Sequence, residues 1–584
     1  MSMLRTAALR SVRANVYPQG LRFARPTKPT KAVTRFYSTH PAHNPTSNTN
    51  WFVGSLIVFG PLLFYLTSPP EAKKKHATEH APQVVHSIES AVAAVKAPAK
   101  PYVLVGSGTA SFSAAQAIKE QEPDANVIII GNEAVPPYMR PPLSKELWFS
   151  EDANASQTLK FKDWQGNERN ALYQDISQYE IITDVADLNK ESTKIKLLLQ
   201  KTVKKLDVEA HTVELDDGSV IEYNKVLLAT GGSPKHLPNQ SNVKNVTTFR
   251  TVDDLRKLDS VAKKDAHIVV VGGGFLGSEL AVALAHRAKK EGLKITQVFP
   301  EEGNMGNVFP TYLTKWTTGR VIDEGVDVKA KHTIKSIASA EGDKVKILFE
   351  NDETIEADHV VVAVGIEPRV ELARAAGLEI DEQRAGVVVN AELESRRDVF
   401  AAGDMISFHD IQLGRRRIEH HDHAVLSGRH AGENMAGKNK PYKHQSMFWS
   451  DLGPKIGYEA VGLVDSQLST VSVWAKASEA DTPAAAVSQP ENLRGVDVQD
   501  IKPSSETAAP ASNKQPGNPA EGTVFSDEKF GKGLVFYTKN KKVVGVLLFN
   551  VFGKVQEARD VISNGTSVDQ IENIVTKFDI HGSH

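Results

Sequence analysis

The chain has 584 residues, a formal net charge of −2 and a hydrophobic fraction of 40%. At roughly 100–200 residues per domain this length predicts three or more domains, and the near-neutral charge gives no global attraction to nucleic acid. Because the chain contains no cysteine, disulfides, dithiol redox motifs and thiolate metal sites are excluded, and no metal site is predicted.

The first hundred residues differ in composition from the rest of the chain. Residues 1–40 lack Asp and Glu but contain many Arg, Ser and Thr, which is typical of a mitochondrial transit peptide. Residues 51–67, WFVGSLIVFGPLLFYLT, carry no charge and predict a transmembrane helix, with a buried core helix as the alternative. Residues 68–99 are rich in Pro, Ala, Lys and His and are predicted to form a linker.

A glycine-rich turn follows the first apolar run after this linker, at 101–105. A helical stretch and a second apolar run at 127–130 complete a strand–turn–helix–strand pattern, which is typical of a dinucleotide-binding domain. Gly106 permits the tight turn, and Gly108 lets the backbone approach a pyrophosphate at the helix N-terminus. The predicted contacts of this first glycine loop are Gly106, Gly108, Thr109, Ala110 and Ser111.

Acidic residues that follow the strands of this first domain are candidates for binding the sugar parts of FAD. Glu133 is placed to accept a hydrogen bond from a ribose hydroxyl, although Asn132 competes for that position. Buried strands are also predicted at 225–232 and 399–404. Asp404, just past the second of these, is predicted to bind the ribityl chain, with a helix N-cap as the alternative.

A second glycine loop, GGGFLG at 272–277, satisfies the full GxGxxG pattern between a predicted strand and a predicted helix. Glu301 follows the next strand, and a carboxylate there favours NAD(H) over NADP(H) because it repels the 2′-phosphate. The predicted contacts of this loop are Gly272, Gly274, Phe275, Leu276 and Gly277. Two dinucleotide sites on one chain predict hydride transfer from NADH to FAD, which are the two predicted cofactors.

Longer motifs make the sequence similar to one family. They are PPYMRPPLSKELWF at 136–149, GRRRIEHHDHAVLSGRHAGENM at 414–435, QSMFWSDLGPKIGYEAVGLVD at 445–465 and FGKGLVFYTKNKKVVGVLLFNVFGKVQEARDVI at 530–562. On these motifs the chain resembles the apoptosis-inducing factor family of FAD-dependent pyridine nucleotide-disulphide oxidoreductases. The resemblance covers residues from about 100 to 475 and from about 525 to 584.

The resemblance implies roles for residues at matching positions. It places Arg140 and Lys145 beside the flavin and pairs Lys145 with Glu279, unless that pair is only an interdomain salt bridge. The implied catalytic residues are Lys145, Glu279, His420 and Trp449, and His421 is an implied FAD contact. The implied contacts of the nicotinamide nucleotide are Phe275, Gly365, Glu419 and Glu459.

Two further positions bear on the resemblance. Trp164 matches an aromatic position that either stacks on a second nucleotide or is an ordinary core residue. Asn307 stands where a basic residue is expected, which puts one phosphate or partner contact in doubt.

The pattern as a whole predicts an α/β fold with two glutathione-reductase-like Rossmann domains, a C-terminal α+β domain and the N-terminal transmembrane anchor. The predicted FAD-binding domain comprises 100–231 and 367–446, and the NADH-binding domain comprises 232–366. Alternating apolar and polar residues predict an antiparallel sheet within the third domain, 447–584. Its insert, 476–528, has the composition of a disordered loop and is either regulatory or inert.

The resemblance also implies a cellular role. It implies an NADH oxidoreductase of the inner mitochondrial membrane, facing the intermembrane space, that forms a charge-transfer complex and dimerises on reduction. It implies roles in respiratory-chain biogenesis, with an intermembrane-space import factor as partner, and in programmed cell death after nuclear translocation. Non-specific DNA binding would involve Arg415–Arg417 or Lys438–Lys443, although three arginines in a row are more often a salt-bridged cluster. The alternatives are a non-pumping NADH–quinone reductase and a redox-switched scaffold.

Overall fold

The computed structural model describes residues 100–580, apart from 164–165, 170–171, 191, 239, 241–242 and 476–530. The predicted transit peptide, transmembrane helix, linker and insert, together with Trp164, lie outside the described residues. Within the described ranges no helix combines the length and the apolar character needed to cross a bilayer.

The first sheet has seven strands and is parallel except at one edge, where a short strand pairs antiparallel. Its strands, in spatial order, are Glu394–Arg396, Val399–Ala401, Lys225–Leu228, Tyr102–Val105, Val127–Ile130, Ile195–Leu198 and Tyr179–Ile181. The central strands are continuous apolar runs with every residue buried, as expected for a parallel sheet covered on both faces.

Two helices pack closely together on this sheet: the first glycine-loop helix (Thr109–Gln121) and the histidine helix (His421–Met435). Glycines allow this approach, because a Cβ on Gly428 would lie 2.3 Å from the carbonyl oxygen of Ala110. The histidine helix comes from a late part of the chain, so the first layer is assembled from two separate segments.

The second sheet has five parallel strands. In spatial order they are Val246–Thr248, His359–Val362, His267–Val271, Lys294–Phe299 and Asp327–Ala330. The helices of this part are Val252–Val261, the second glycine-loop helix (Phe275–Glu291) and Thr311–Asp323. The chain passes between the first two sheets through an antiparallel pair of short strands, Gly232–Pro234 with Ile366–Pro368.

The third sheet is antiparallel, as the alternating pattern predicts. Its strands, in spatial order, are Met447–Leu452, Ile456–Gly462, Lys542–Phe549, Lys532–Lys539 and Ser469–Ala475. One face packs in a cluster with helices Val555–Ser563 and Ile571–Val575, and the other face shares a core with the second glycine-loop helix. Phe448 and Trp449, adjacent in one strand, therefore belong to different clusters.

Smaller elements complete the described residues. The short strands are Phe161–Lys162, Glu168–Arg169, Val203–Asp207, Thr212–Leu215, Val220–Glu222, Ile334–Ser339, Val345–Phe349, Thr354–Ala357, Ile380–Asp381, Gly386–Val388, Ile406–Asp410 and Gly414–Arg416. The short α-helices are Glu146–Phe149, Ala155–Thr158 and Glu371–Ala375. The predicted α/β architecture is confirmed, with a third, mainly antiparallel layer.

Candidate functional site

A cavity of about 820 Å³ opens at the carboxyl ends of the parallel strands of the first sheet. This edge is where open α/β sheets bind their ligands. Among the predicted site residues, the cavity is lined by Gly106, Gly108, Thr109, Ala110, Glu133, Arg140, Lys145, Phe275, Leu276, Glu279, Asp404, Glu419, His420, His421 and Trp449. The cavity therefore gathers residues from both glycine loops and from the third sheet.

The first glycine loop is shaped to receive a phosphate group. Gly106 has a φ of +108°, and a Cβ there would lie 2.3 Å from the carbonyl oxygen of Ala229. Gly108 forms the N-cap of the first glycine-loop helix without a side-chain cap, and a Cβ there would meet nothing within 4 Å. The free N–H groups of this helix end thus face open space, which is the arrangement that binds a pyrophosphate.

The second glycine loop repeats this construction. Gly272 has a φ of +128°, and a Cβ on it would lie 2.2 Å from the carbonyl oxygen of Ala363. A Cβ on Gly277 would lie 2.2 Å from the carbonyl oxygen of Gly272, so close helix–turn packing requires glycine. Gly274, the uncapped N-cap of the second glycine-loop helix, has open space in front of it. Both loops fit a dinucleotide phosphate.

A buried ion pair joins the three layers at the floor of the cavity. Lys145 Nζ lies 3.4 Å from Oε1 of Glu279, and the two side chains are 4% and 8% exposed. Ser144 and Ser450 each donate a hydroxyl to the Glu279 carboxylate at 2.7 Å. The Lys145 ammonium also lies 5.5 Å from the ring centre of Trp449. Since Ser450 belongs to the third sheet and Glu279 to the second glycine-loop helix, this pair fixes the layers relative to one another.

Comparisons with known proteins agree with the dinucleotide-binding geometry of both loops. Residues 100–428 match the family described as pyridine nucleotide-disulphide oxidoreductase, and residues 431–564 match the C-terminal domain described as apoptosis-inducing factor, mitochondrion-associated. The chain is 37% identical over 492 residues to the mitochondrial apoptosis-inducing factor 1 of Dictyostelium discoideum, covering 83% of this chain and 82% of that protein. The chain belongs to the apoptosis-inducing factor family of pyridine nucleotide-disulphide oxidoreductases.

Other relatives agree with this assignment. The putative mitochondrial apoptosis-inducing factor 1 of Drosophila melanogaster is 42% identical over 493 residues, which cover 82% of this chain and 65% of the fly protein's length. A crystal structure of the ferredoxin reductase for the CYP199A2 system of Rhodopseudomonas palustris superposes with a TM-score of 0.60 at 24% identity, covering 82% of this chain and 99% of that one, which shows the shared fold. Membership of this family confirms FAD and NAD(H) as cofactors and the oxidoreductase class.

In this oxidoreductase Glu133, the acid predicted to bind a ribose hydroxyl, is held in a polar network. Tyr138 donates its hydroxyl to Oε2 of Glu133 at 2.7 Å, and Arg140 lies 3.3 Å from Oε1. Asp404 pairs with Arg250 at 3.1 Å. Glu133 and Asp404 both line the cavity, as does the competing Asn132. Their predicted contacts with a ribose or ribityl hydroxyl stay predictions.

Two half-buried histidines begin the histidine helix and contact aromatic side chains. His420 stacks on Phe448 with ring centres 4.6 Å apart, and His421 meets Trp449 edge-on at 5.5 Å. Burial lowers the pKa of both histidines to about 4. Both imidazoles are therefore neutral at physiological pH, where they supply flat surfaces and neutral hydrogen-bonding groups to the cavity.

The lowered pKa values of the histidines in this helix predict acid sensitivity. Burial also lowers the pKa of His423, to about 3. A histidine whose pKa is lower in the folded state binds its proton more readily in the unfolded state. The fold therefore has its full stability above pH 6.5 and loses stability as the pH falls toward 4. For His423, which is fully buried, this is expected to cost about 2 kcal/mol of unfolding free energy between pH 7.5 and 5. Urea unfolding of the wild type and of His423→Gln at both pH values measures this loss of stability. His409→Gln, which changes an exposed histidine, is the control. Equal pH dependence of the unfolding free energy in the wild type and His423→Gln would contradict the prediction.

Some predicted residues lie away from this cavity. Ser111 is buried in the first glycine-loop helix, and Glu459 lies opposite Trp449 in the third sheet without lining the cavity. Glu301 accepts a hydrogen bond from the side-chain amide of Asn307 at 2.9 Å. The predicted nicotinamide-nucleotide residues outside the cavity are Gly272, Gly274, Gly277, Glu301, Gly365 and Glu459. Their roles stay predictions.

Several basic residues that line the cavity have no motif in the sequence. They are Lys201, Lys204, Arg250 and Arg369. Lys201, Arg250 and Arg369 lie in connections between elements and Lys204 lies in the short strand Val203–Asp207, and no periodicity or glycine pattern marks any of them. The arginine triplet 415–417, by contrast, is engaged internally: Arg416 pairs with Asp410 at 3.1 Å and Arg417 with Glu419 at 2.5 Å. This favours the salt-bridged alternative over a DNA-binding cluster.

Proposed function

We propose that this chain is an NADH oxidoreductase of the apoptosis-inducing factor type, in which FAD occupies the described cavity and NADH binds at the second glycine loop. The observation that carries this proposal is the position of Glu279. It stands in the first turns of the second glycine-loop helix, yet it lines the cavity that begins at the first glycine loop. The two nucleotide sites therefore converge at the Lys145–Glu279 pair, as hydride transfer requires.

The residues around this junction have separable tasks. FAD, when bound, supplies a carrier for two electrons, and the protein contributes position and electrostatics. Lys145 supplies a buried cation beside the place where negative charge accumulates on reduction. Phe275, Phe448 and Trp449 provide aromatic surfaces that line the cavity around it. Glu279, held by two serine hydroxyls, fixes the ammonium in place.

The finer features of the proposal rest on the C-terminal domain and on the relatives. The match of residues 431–564 to a mitochondrion-associated domain supports a mitochondrial protein, and the predicted transit peptide and anchor agree with it. We place it on the inner membrane, facing the intermembrane space, with an import factor as partner. Its roles are respiratory-chain biogenesis and programmed cell death, with NADH inducing dimerisation.

Size analysis tests this redox-linked behaviour. Purified residues 100–584 are expected to elute as a monomer when oxidised and as a dimer after anaerobic addition of NADH, with slow return in air. Rapid turnover with a quinone and an unchanged size would instead support the quinone-reductase alternative. If a variant that no longer oxidises NADH still bound its protein partner unchanged, that result would support the alternative of a redox-switched scaffold.

Glu301 is expected to set the preference for NADH. Replacing Glu301 by glutamine removes the charge that repels a 2′-phosphate but keeps the side-chain length. The ratio of kcat/KM for NADH to that for NADPH should fall about tenfold, equivalent to about 1.4 kcal/mol. Steady-state kinetics with both nucleotides measure this ratio. Glu302→Gln is the matched control, because Glu302 pairs with Lys331 at 3.0 Å, and an equal change in both variants would contradict the assignment.

A further inference from the structure

A second acid stands next to Lys145 and has no part in the junction described above. Glu146 begins the short helix Glu146–Phe149, is 6% exposed and does not line the cavity. Its Oε2 atom is buried and has no hydrogen-bond partner among the residues that the structure describes. A buried carboxylate oxygen without a donor is costly when ionised, so this carboxyl favours its protonated form.

Glu146 lies close to one lysine and to two other acids. Lys145 is the cation beside it, Glu279 reaches it from the second glycine-loop helix, and Asp451 reaches it from strand Met447–Leu452. Glu279 receives Lys145 and two serine hydroxyls, which stabilise its ionised form. The proton is therefore assigned to Glu146 rather than to Glu279.

The basic residues that other described elements bring to this short helix are packed on aromatic rings, paired with another acid or exposed. From the second glycine-loop helix, His286 stacks on Phe149 and Arg287 lies over the ring of Trp148, and Arg287 is paired with Asp259. Lys162, on the neighbouring short strand, is exposed. Burial raises the pKa of Glu146 to about 7, Lys145 opposes this, and Asp451 and Glu279 add to it.

We propose that Glu146 is a proton-accepting group that couples the charge of the reduced cavity to the solvent. When a hydride passes from NADH, two electrons and one proton arrive in the cavity and leave a net negative charge beside Lys145. One further proton, taken from water, then neutralises the Glu146 carboxylate, and nothing else is oxidised or reduced. This inference rests on the proposed function, since it requires a reducible group next to Lys145.

Proton uptake on reduction tests the coupling directly. The flavin-loaded protein, weakly buffered near pH 7 with a pH indicator, is reduced without oxygen once with NADH and once with dithionite. The wild type is expected to take up a measurable fraction of a proton more per flavin than Glu146→Gln. Glu151→Gln, which changes an exposed carboxyl in the same segment, should match the wild type. Equal uptake by the wild type and Glu146→Gln would overturn the proposal.

Two further readouts separate proton holding from a structural role. Because the folded-state pKa is raised, stability due to the protonated form is present at low pH and lost as the pH rises from about 4.5 through about 7. Relative to the wild type, the folding constant of Glu146→Gln should rise about 150-fold between pH 4.5 and 8. Reduction should also increase an infrared carboxylic-acid band that Glu146→Gln lacks, and absence of both effects would overturn the proposal.

Failure of this proposal is distinguishable from failure of the proposed function. If NADH does not reduce the wild type but dithionite does, the proposed function fails while proton uptake on dithionite reduction still tests Glu146. If Glu146→Gln fails to fold, Glu146→Asp provides the comparison, since it keeps the acid and is expected to retain proton uptake. Loss of uptake in Glu146→Asp with normal flavin binding would count against the assignment.

Discussion

Replacing Lys145 with methionine will destabilise the folded protein by about 3–5 kcal/mol. The reason is burial: the Lys145 and Glu279 side chains are 4% and 8% exposed, so removing the ammonium leaves a carboxylate charged inside the protein. The two serine hydroxyls that contact Glu279 do not replace the lost cation. Urea unfolding of the purified variant, at one protein and FAD concentration, measures the loss.

A double substitution separates the lost charge balance from lost packing. Glu279→Gln in the Lys145→Met background keeps the hydrogen-bonding shape without the charge, and is expected to recover most of the stability. Lys145→Arg should lose less stability than Lys145→Met, since it retains a cation. If the double variant is no more stable than Lys145→Met alone, the pair does not act as a buried salt bridge and our account of the junction is wrong.

Alanine at each of the two open glycine N-caps will weaken the binding of a different cofactor. Gly108 and Gly274 occupy equivalent positions, and a Cβ on either would meet no atom within 4 Å, so both variants should fold. The added methyl occupies the place where a phosphate approaches the helix end. Losing one charged hydrogen bond there costs about 1.5–3 kcal/mol, which is about 10- to 100-fold in affinity.

The expected outcomes are reciprocal. Gly108→Ala should bind FAD weakly, as measured by flavin content and fluorescence. Gly274→Ala should retain FAD but show a raised KM for NADH. Gly319→Ala is the matched control, because Gly319 lies within helix Thr311–Asp323 and also has free space for a Cβ. Normal flavin content in Gly108→Ala, or an unchanged KM in Gly274→Ala, would contradict the corresponding site.

The local parts of the fold were predictable because short segments determine them. Each glycine loop follows a buried apolar strand and starts a helix, and positive φ at Gly106 and Gly272 is the conformation that those residues permit. The antiparallel third sheet follows from period-two alternation, which also separates the faces of Phe448 and Trp449. These features depend on neighbouring residues in the chain.

The contacts that complete the site depend on residues far apart in sequence. Ser450 donates to Glu279 across 171 positions, and Arg250 reaches Asp404 across 154. A serine in a strand or an arginine in a loop has no local pattern that indicates such a partner. Glu146 could not be predicted for the same reason. Its carboxylate oxygen is buried and lacks a hydrogen-bond donor because elements that are far apart in the sequence pack around it. Glu459 differs from these residues. The register of its strand places it opposite Trp449, but its side chain does not line the cavity, so its predicted contact with the nucleotide stays a prediction.

Anaerobic titration of the purified, FAD-loaded protein with NADH, followed by absorbance, tests the central claim most directly. We expect one equivalent of NADH to bleach the flavin bands and to produce a long-wavelength charge-transfer band, while NADPH requires a much larger excess. That result would establish that the two glycine loops deliver their cofactors to the junction at Lys145 and Glu279. Flavin that stays oxidised with excess NADH, yet is reduced by dithionite, would contradict the convergence of the two sites.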